Sequence, residues 1–191
     1  MKFTLTHNFP DVQRQLNGLR QDIALKATAS ALNKTAAQAK TAMSKEIRTE
    51  FVLPAAKVSQ ALRVNRAKAA RGAGSMEVSL SSISKPGARS LNLAHFNAKQ
   101  TAKGVSFKVR RDGPRKVIPG SFLINGGKTV MIRTGKGRLP IKALQTIEVA
   151  QMFNTKRINA RVLATINAKL PAIFANEVRF FTDRFNTRGK A

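Results

Sequence analysis

The chain has 191 residues, enough for one ordinary domain or one domain with an extended arm. Thirty-five Lys/Arg against nine Asp/Glu give a net charge of +26, and there is no Cys, Trp or Tyr. The missing cysteine excludes disulfide scaffolds, cysteine-ligated metals and cysteine nucleophiles. The charge calls for an anionic counterpart, nucleic acid or an acidic protein, to relieve self-repulsion.

Lys2–Phe9 alternates apolar and polar residues and fits a short strand or an ordered arm. Pro10 and Asp11 suit a first helical turn, followed by Val12, Leu16, Leu19 and Ile23 at helical spacing, with Gly18 as a weak point. From Asp22 to Phe51 the helical pattern is strong. Leu25, Leu32, Ala36, Ala39, Met43, Ile47 and Phe51 form one stripe, widened by Ala27, Ala31 and Ala42. Alanine on that face lets a neighbouring element approach closely. Pro54 ends the helix and opens a short one over Pro54–Leu62. Arg63–Arg71 is basic with few apolar residues, and Gly72 and Gly74 read as a turn.

Ser75–Ile83 alternates Met76, Val78 and Leu80 with polar neighbours and predicts a strand, followed by a loop over Ser84–Ser90 and a weaker alternation at Leu91, Leu93 and Phe96. Gly104–Arg111 is the cleanest strand pattern, with Val105, Phe107 and Val109 on one face and Ser106, Lys108 and Arg110 on the other. Asp112-Gly113-Pro114 is a turn. Val117–Asn125 is apolar with Pro119-Gly120 interrupting it, Gly126-Gly127 signals a hairpin, and Thr129–Arg133 is the return strand. Thr134–Arg138 is a basic glycine turn. Asn154 or Thr155 caps a last helix, with Ile158, Val162, Ile166, Leu170, Ile173/Phe174, Val178, Phe181 and Phe185 in register and Pro171 expected to kink it. The tail Asn186–Ala191 is polar and expected to fray. The order predicts an α+β fold: a long N-terminal helix, a central, mostly antiparallel sheet with a hairpin, and a long C-terminal helix.

The residues for catalysis are not grouped. The nine acids are scattered, and Glu46 and Glu50, one turn apart, read as partners for nearby cations on a solvated face. His7 and His95 stand alone, so no metal site is expected. Gly126–Thr129 (GGKT) resembles the end of a phosphate-binding loop, but Phe122 stands where the first glycine belongs and strands flank it on both sides. No cofactor and no enzymatic activity are expected. No apolar run reaches membrane-spanning length, and Met1–Phe9 is too mixed for a signal peptide.

What stands out is Lys99–Lys142, with twelve Lys/Arg and one acid, Asp112. Lys108, Arg110, Arg111, Arg115 and Lys116 cluster around one turn, and Arg133, Lys136 and Arg138 come from the following hairpin. These are the candidate nucleic-acid contacts. With no helix-turn-helix, zinc finger or RNA-recognition pattern, the contact they suit is to phosphate, independent of sequence.

Within this stretch, VIPGSFLINGGKTVMIRTGKGRLPI (Val117–Ile141) resembles the sequence core of the minor tail protein Z family of long-tailed bacteriophages. The matching positions are Ile118-Pro119-Gly120-Ser121-Phe122, with Ser121 in place of the usual Ala, then Arg133 and Arg138-Leu139-Pro140-Ile141. Pro119, Gly120, Phe122, Leu139, Pro140 and Ile141 read as a structural motif. An "ALNKTA" run at Ala31–Ala36 agrees with the family's Ala-rich first helix. The resemblance implies one tail-completion domain over residues 1–191: a helical arm at 1–53, a helix-plus-sheet core at 54–153 and a C-terminal helix at 154–191. It implies a structural virion protein at the head-proximal end of the tail, made in the host cytoplasm and forming a ring around the DNA channel. The implied partners are a tail terminator, the tail tube, a head–tail connector, further copies of itself and genomic DNA, with no membrane. Two other readings stand beside it: a free non-specific nucleic-acid-binding protein, and a transient tail-assembly factor. Charge alone leaves open whether the basic stretch faces DNA or acidic protein.

Overall fold

The structure is a computed structural model that describes residues 2–5, 21–68, 76–82 and 90–188. The expected helix start at Pro10–Asp11 with its stripe through Leu19, the bend at Gly18, the turn at Gly72 and Gly74, and nearly all of the loop at 84–90 lie outside the described residues, as does the end of the tail. The element order is β1 (Lys2–Leu5), α1 (Gln21–Glu50), α2 (Ala55–Ala61), β2 (Leu62–Asn65), β3 (Val78–Ser82), a 3-10 turn (Leu93–His95), β4 (Lys99–Thr101), β5 (Gly104–Phe107), β6 (Lys116–Pro119), β7 (Ser121–Ile124), β8 (Thr129–Arg133), β9 (Ile141–Ala143), α3 (Val149–Phe153) and α4 (Lys156–Arg188). The fold is α+β, and its strands form three small antiparallel sheets. The chain divides into two compact units, residues 1–43, 62–82 and 159–191 in one and residues 44–61 and 83–158 in the other.

The first unit holds the sheet ordered β1-β3-β2. β2 is a strand that the basic run at Arg63–Arg71 did not announce. The α1 stripe is buried as its periodicity requires: Ala27, Ala31, Leu32, Ala36, Ala39 and Met43 are at most 2% exposed. Leu32 and Ala36 pack with Ala67 and Val78, supported by Val64 and Met76. Ala31 meets Phe174 of α4, flanked by Ile173 and Val178. A larger residue at Ala31 would fill the space that the Phe174 ring occupies. On α4, Val162, Ile166, Leu170 and Phe174 are buried at three- to four-residue spacing, and the helix continues through Pro171.

The Ala31–Ala36 run is tied into this unit at every residue. Between the packed Ala31, Leu32 and Ala36, the Asn33 side chain grips the backbone of Ala67 in both directions: Nδ2 donates to the Ala67 carbonyl and Oδ1 accepts from the Ala67 amide, both at 2.9 Å. Lys34 donates to Glu177, whose other carboxylate oxygen accepts from Ser30 at 2.6 Å. The buried Thr35 hydroxyl donates back to the Ala31 carbonyl at 2.8 Å, which satisfies it inside the helix.

The second unit contains two sheets, β4-β5-β6 and β7-β8-β9, around Leu93, Val105, Phe107 and Val130, with Ile118, Leu123 and Leu144 packed against them. Side chains stitch the sheets together. Ser121 Oγ accepts from the Val105 amide at 2.9 Å and donates to the Ile118 carbonyl at 2.6 Å. Gln100 Oε1 accepts from the Leu123 amide at 3.0 Å. Asn92 takes the Val130 backbone as Asn33 takes Ala67, accepting from its amide at 2.8 Å and donating to its carbonyl at 3.2 Å. Gly104 has φ +149°, and a Cβ there would lie 2.0 Å from the Ile118 carbonyl oxygen, so only glycine allows β5 and β6 to pair at this register. α2 packs on α3, and Val58 on the one and Met152 and Phe153 on the other are all at most 1% exposed.

β5 is shorter than its pattern suggested. It ends at Phe107, and all four of its residues are buried, so its second face is not a basic surface. After it the chain turns away: the Lys108 amide donates to the Phe96 carbonyl at 3.0 Å, and Arg110 bridges to Phe51 at the end of α1. The 91–96 segment, read as a weak alternation, holds the 3-10 turn, with Asn92 accepting from the Ala94 amide at 3.0 Å.

Candidate nucleic-acid interface

The eight candidate cations fall into two groups within the second unit, one on the connection from β5 to β6 and the first residue of β6, and one at the end of β8 and the loop after it. All are exposed except Lys108, which is half-buried. Their surroundings differ. The Arg111 amide donates to the Glu50 carbonyl at 2.9 Å and its Nε to the Arg48 carbonyl at 2.6 Å. Those carbonyls are at the negative end of α1, so Arg111 acts as a cationic cap on that helix. Arg115 donates to the Asn97 carbonyl at 2.7 Å and to the Ser106 carbonyl and hydroxyl at 3.4 and 3.3 Å. Arg110 lies 5.7 Å from the Phe51 ring centre and Arg133 4.8 Å from that of Phe122, both within cation–π range. These four arginines hold the fold as well as carrying charge. Lys116, Lys136 and Arg138 are exposed on β6 and on the loop.

The loop carrying Lys136 and Arg138 is closed by the motif residues. Thr134 donates to the Pro140 carbonyl from its amide at 3.1 Å and its hydroxyl at 3.0 Å, the Leu139–Pro140 peptide is cis, and Ile141 pairs with Arg133. Gly135 has open space around its Cα. The result is a short loop whose base is fixed and whose charged tip projects. Pro119 ends β6 opposite Gly104, Gly120 at φ +70° turns the chain into β7, and Phe122 is the ring under Arg133. The motif is thus the frame of the second group of cations. Of its large apolar side chains, Leu139 is 70% exposed and Ile141 37%.

Asn125, Gly126 and Gly127 have φ of 53°, 63° and 84° and form the β7–β8 hairpin, so GGKT is a turn. Among the described residues no group of three His, Asp or Glu is placed to hold a metal ion, and no helix is long and apolar enough to cross a membrane. Burial and the nearby charge of Lys57 hold His95 below its usual 6.5.

Sequence reasoning missed the side-chain clamps Asn33, Asn92 and Gln100, and the buried acceptor Glu177. Burial pushes the Glu177 carboxyl up, but hydrogen bonds from Lys34 and Ser30, together with the Lys34 charge, outweigh it and hold it below the ordinary 4.5. The signal for Asn33 was its place beside the apolar stripe of α1, where a helix surface usually carries a better helix former.

The sequence profile of the family described as prophage minor tail protein Z matches residues 11–184, which takes in both units and every candidate cation. No curated protein and no solved structure matches the chain. With the profile spanning nearly its whole length, the chain belongs to the prophage minor tail protein Z family and is a structural component of a phage tail.

Proposed function

We propose that this protein completes the tail at its head-proximal end, as an oligomer around the DNA path, and touches the DNA backbone without reading sequence. Family membership supports a place among other tail proteins. The observation that carries the DNA reading is the loop at 134–138. Lys136 and Arg138 are exposed there on a base fixed by Thr134 and Pro140, on a chain of net charge +26. Cations of this kind exchange with counterions on a polyanion and make no directional demand on a base, which suits DNA that must slide. The role so read is structural rather than enzymatic. Its neighbours are the tail terminator, the tail tube, a head–tail connector and other copies of the chain.

The test is the salt dependence of binding to a duplex of arbitrary sequence. Lys136→Gln with Arg138→Gln removes two phosphate contacts, so the slope of log K against log salt falls in magnitude by about 2, at roughly 0.9 per contact. Between 50 and 200 mM salt that is about a tenfold smaller loss of affinity. An unchanged slope sinks the assignment of this loop. Copy number and position in intact particles, read by mass spectrometry and reconstruction, test the location separately. A chain absent from finished particles would be an assembly factor.

A further inference from the structure

A cleft of about 380 Å³ opens within the second unit over β5, β6 and the connection between them. Its floor is apolar: Leu93, Phe107, Val109 and Ile118. Two cations flank it, Arg110 and Lys116, and among the described residues no carboxylate lines it. Strand geometry explains the combination. Lys116 and Ile118 are two apart on β6 and share a face, and Phe107 sits opposite Lys116 in the β5–β6 register. The alternation that half-buries Ile118 therefore places an ammonium at the edge of the same apolar surface.

We propose that this cleft receives an acidic, apolar segment of a neighbouring tail protein, one or two apolar side chains on the floor and a carboxylate between Arg110 and Lys116. Its volume is at the small end of ligand pockets, about 300–1,000 Å³, enough for a few side chains and far too small for a duplex. DNA would satisfy the two cations and leave the open edge of the apolar floor, at the half-buried Val109 and Ile118, uncovered. A neutral apolar segment would satisfy the floor and leave the cations unused. Charge complementarity with an apolar anchor meets both, and burial of such an anchor is what gives a docking site its affinity. The proposal does not depend on DNA contact by the loop at 134–138.

The probe is a fluorescently labelled eight-residue peptide alternating glutamate and leucine, titrated by anisotropy with the full-length protein. Its twin with glutamine in place of glutamate controls for charge. Lys136→Gln with Arg138→Gln controls for the general attraction of a basic chain. Lys116→Gln with Arg110→Gln is expected to weaken peptide binding at least tenfold, whereas the 136/138 variant changes it less than threefold. The glutamine twin is expected to bind at least tenfold more weakly than the acidic peptide. Lys116→Gln alone, at an exposed strand position, is expected to give at least a threefold loss and guards against misfolding through loss of the Arg110–Phe51 contact. Equal weakening by both double variants overturns the proposal, since it means attraction to charge anywhere. Equal binding of the two peptides overturns it, as does displacement of the acidic peptide by a short duplex in the 136/138 variant.

Discussion

Asn33→Ala removes two hydrogen bonds of 2.9 Å and leaves the amide and carbonyl of Ala67, a residue only 7% exposed, with no side chain to meet them. Each neutral bond contributes about 1 kcal/mol net, and a buried backbone donor left unpaired costs about 1–3 kcal/mol. Alanine's better helix propensity returns roughly 0.5 kcal/mol. The expected loss is about 2–4 kcal/mol. With a urea m-value of roughly 2 kcal/mol/M, the midpoint falls by about 1–2 M. Amide exchange at Ala67 is the sharper readout, because it reports the first unit directly. A loss of 2–4 kcal/mol speeds exchange through unfolding by about 30- to 900-fold. A midpoint shift under about 0.3 M with Ala67 protection unchanged would refute the reasoning. The Ala31–Ala36 run would then owe its pattern to something other than packing.

Two other side-chain contacts carry expectations of the same kind. Ser121→Ala deprives the fully buried Val105 amide of its acceptor and should cost about 1–3 kcal/mol. By calorimetry that lowers Tm by about 3–10 °C, and an unchanged Tm would show that the usual alanine serves equally well at this position. Glu177 has a folded-state carboxyl below 4.5, so its contribution is present above that value and lost as pH falls through the folded one. Glu177→Gln should be less stable than the parent at neutral pH and lose less on acidification below 4.5, measured by urea midpoint against pH. A parallel pH profile in the two proteins would contradict it.

Much of this fold could be read from residue order, and what escaped has a physical cause. α1 and α4 came through because their apolar residues recur over seven or more turns, which no other structure satisfies. Thr129–Arg133 came through because its turns on both sides are marked by glycine. β2 did not, since Leu62 and Val64 are its only apolar residues and arginine and asparagine fill the rest. α3 is a single turn and carries no period. The basic stretch shows the harder limit. Spacing locates charge on the chain but not the carbonyl or ring that engages it. Arg111 reaches the Arg48 carbonyl 63 positions away, and Arg115 reaches back to Asn97. Only the fold separates cations that hold the protein together from Lys116, Lys136 and Arg138, which face outward. Burial of Ser106 likewise depends on Arg115 and the Lys99 carbonyl, which no alternation pattern encodes.

The division of the chain has an outcome for how the protein is made. Neither unit is a continuous segment: residues 44–61 and 83–158 build one, while the other takes what lies before, between and after them. On the ribosome the second unit has all its residues once position 158 has emerged. The first cannot close, because the partners of Ala31, Ser30 and Lys34 are Phe174 and Glu177. Ala67 and Val78 are made early enough to cover Leu32 and Ala36, but the part of the α1 face at Ala31 must wait, uncovered, for the last helix. No single cut releases either unit whole, and a truncation within α4 before Phe174 deprives Ala31, Ser30 and Lys34 of their partners. The order in which the units can close therefore differs from the order in which they begin, with the middle of the chain complete before the beginning.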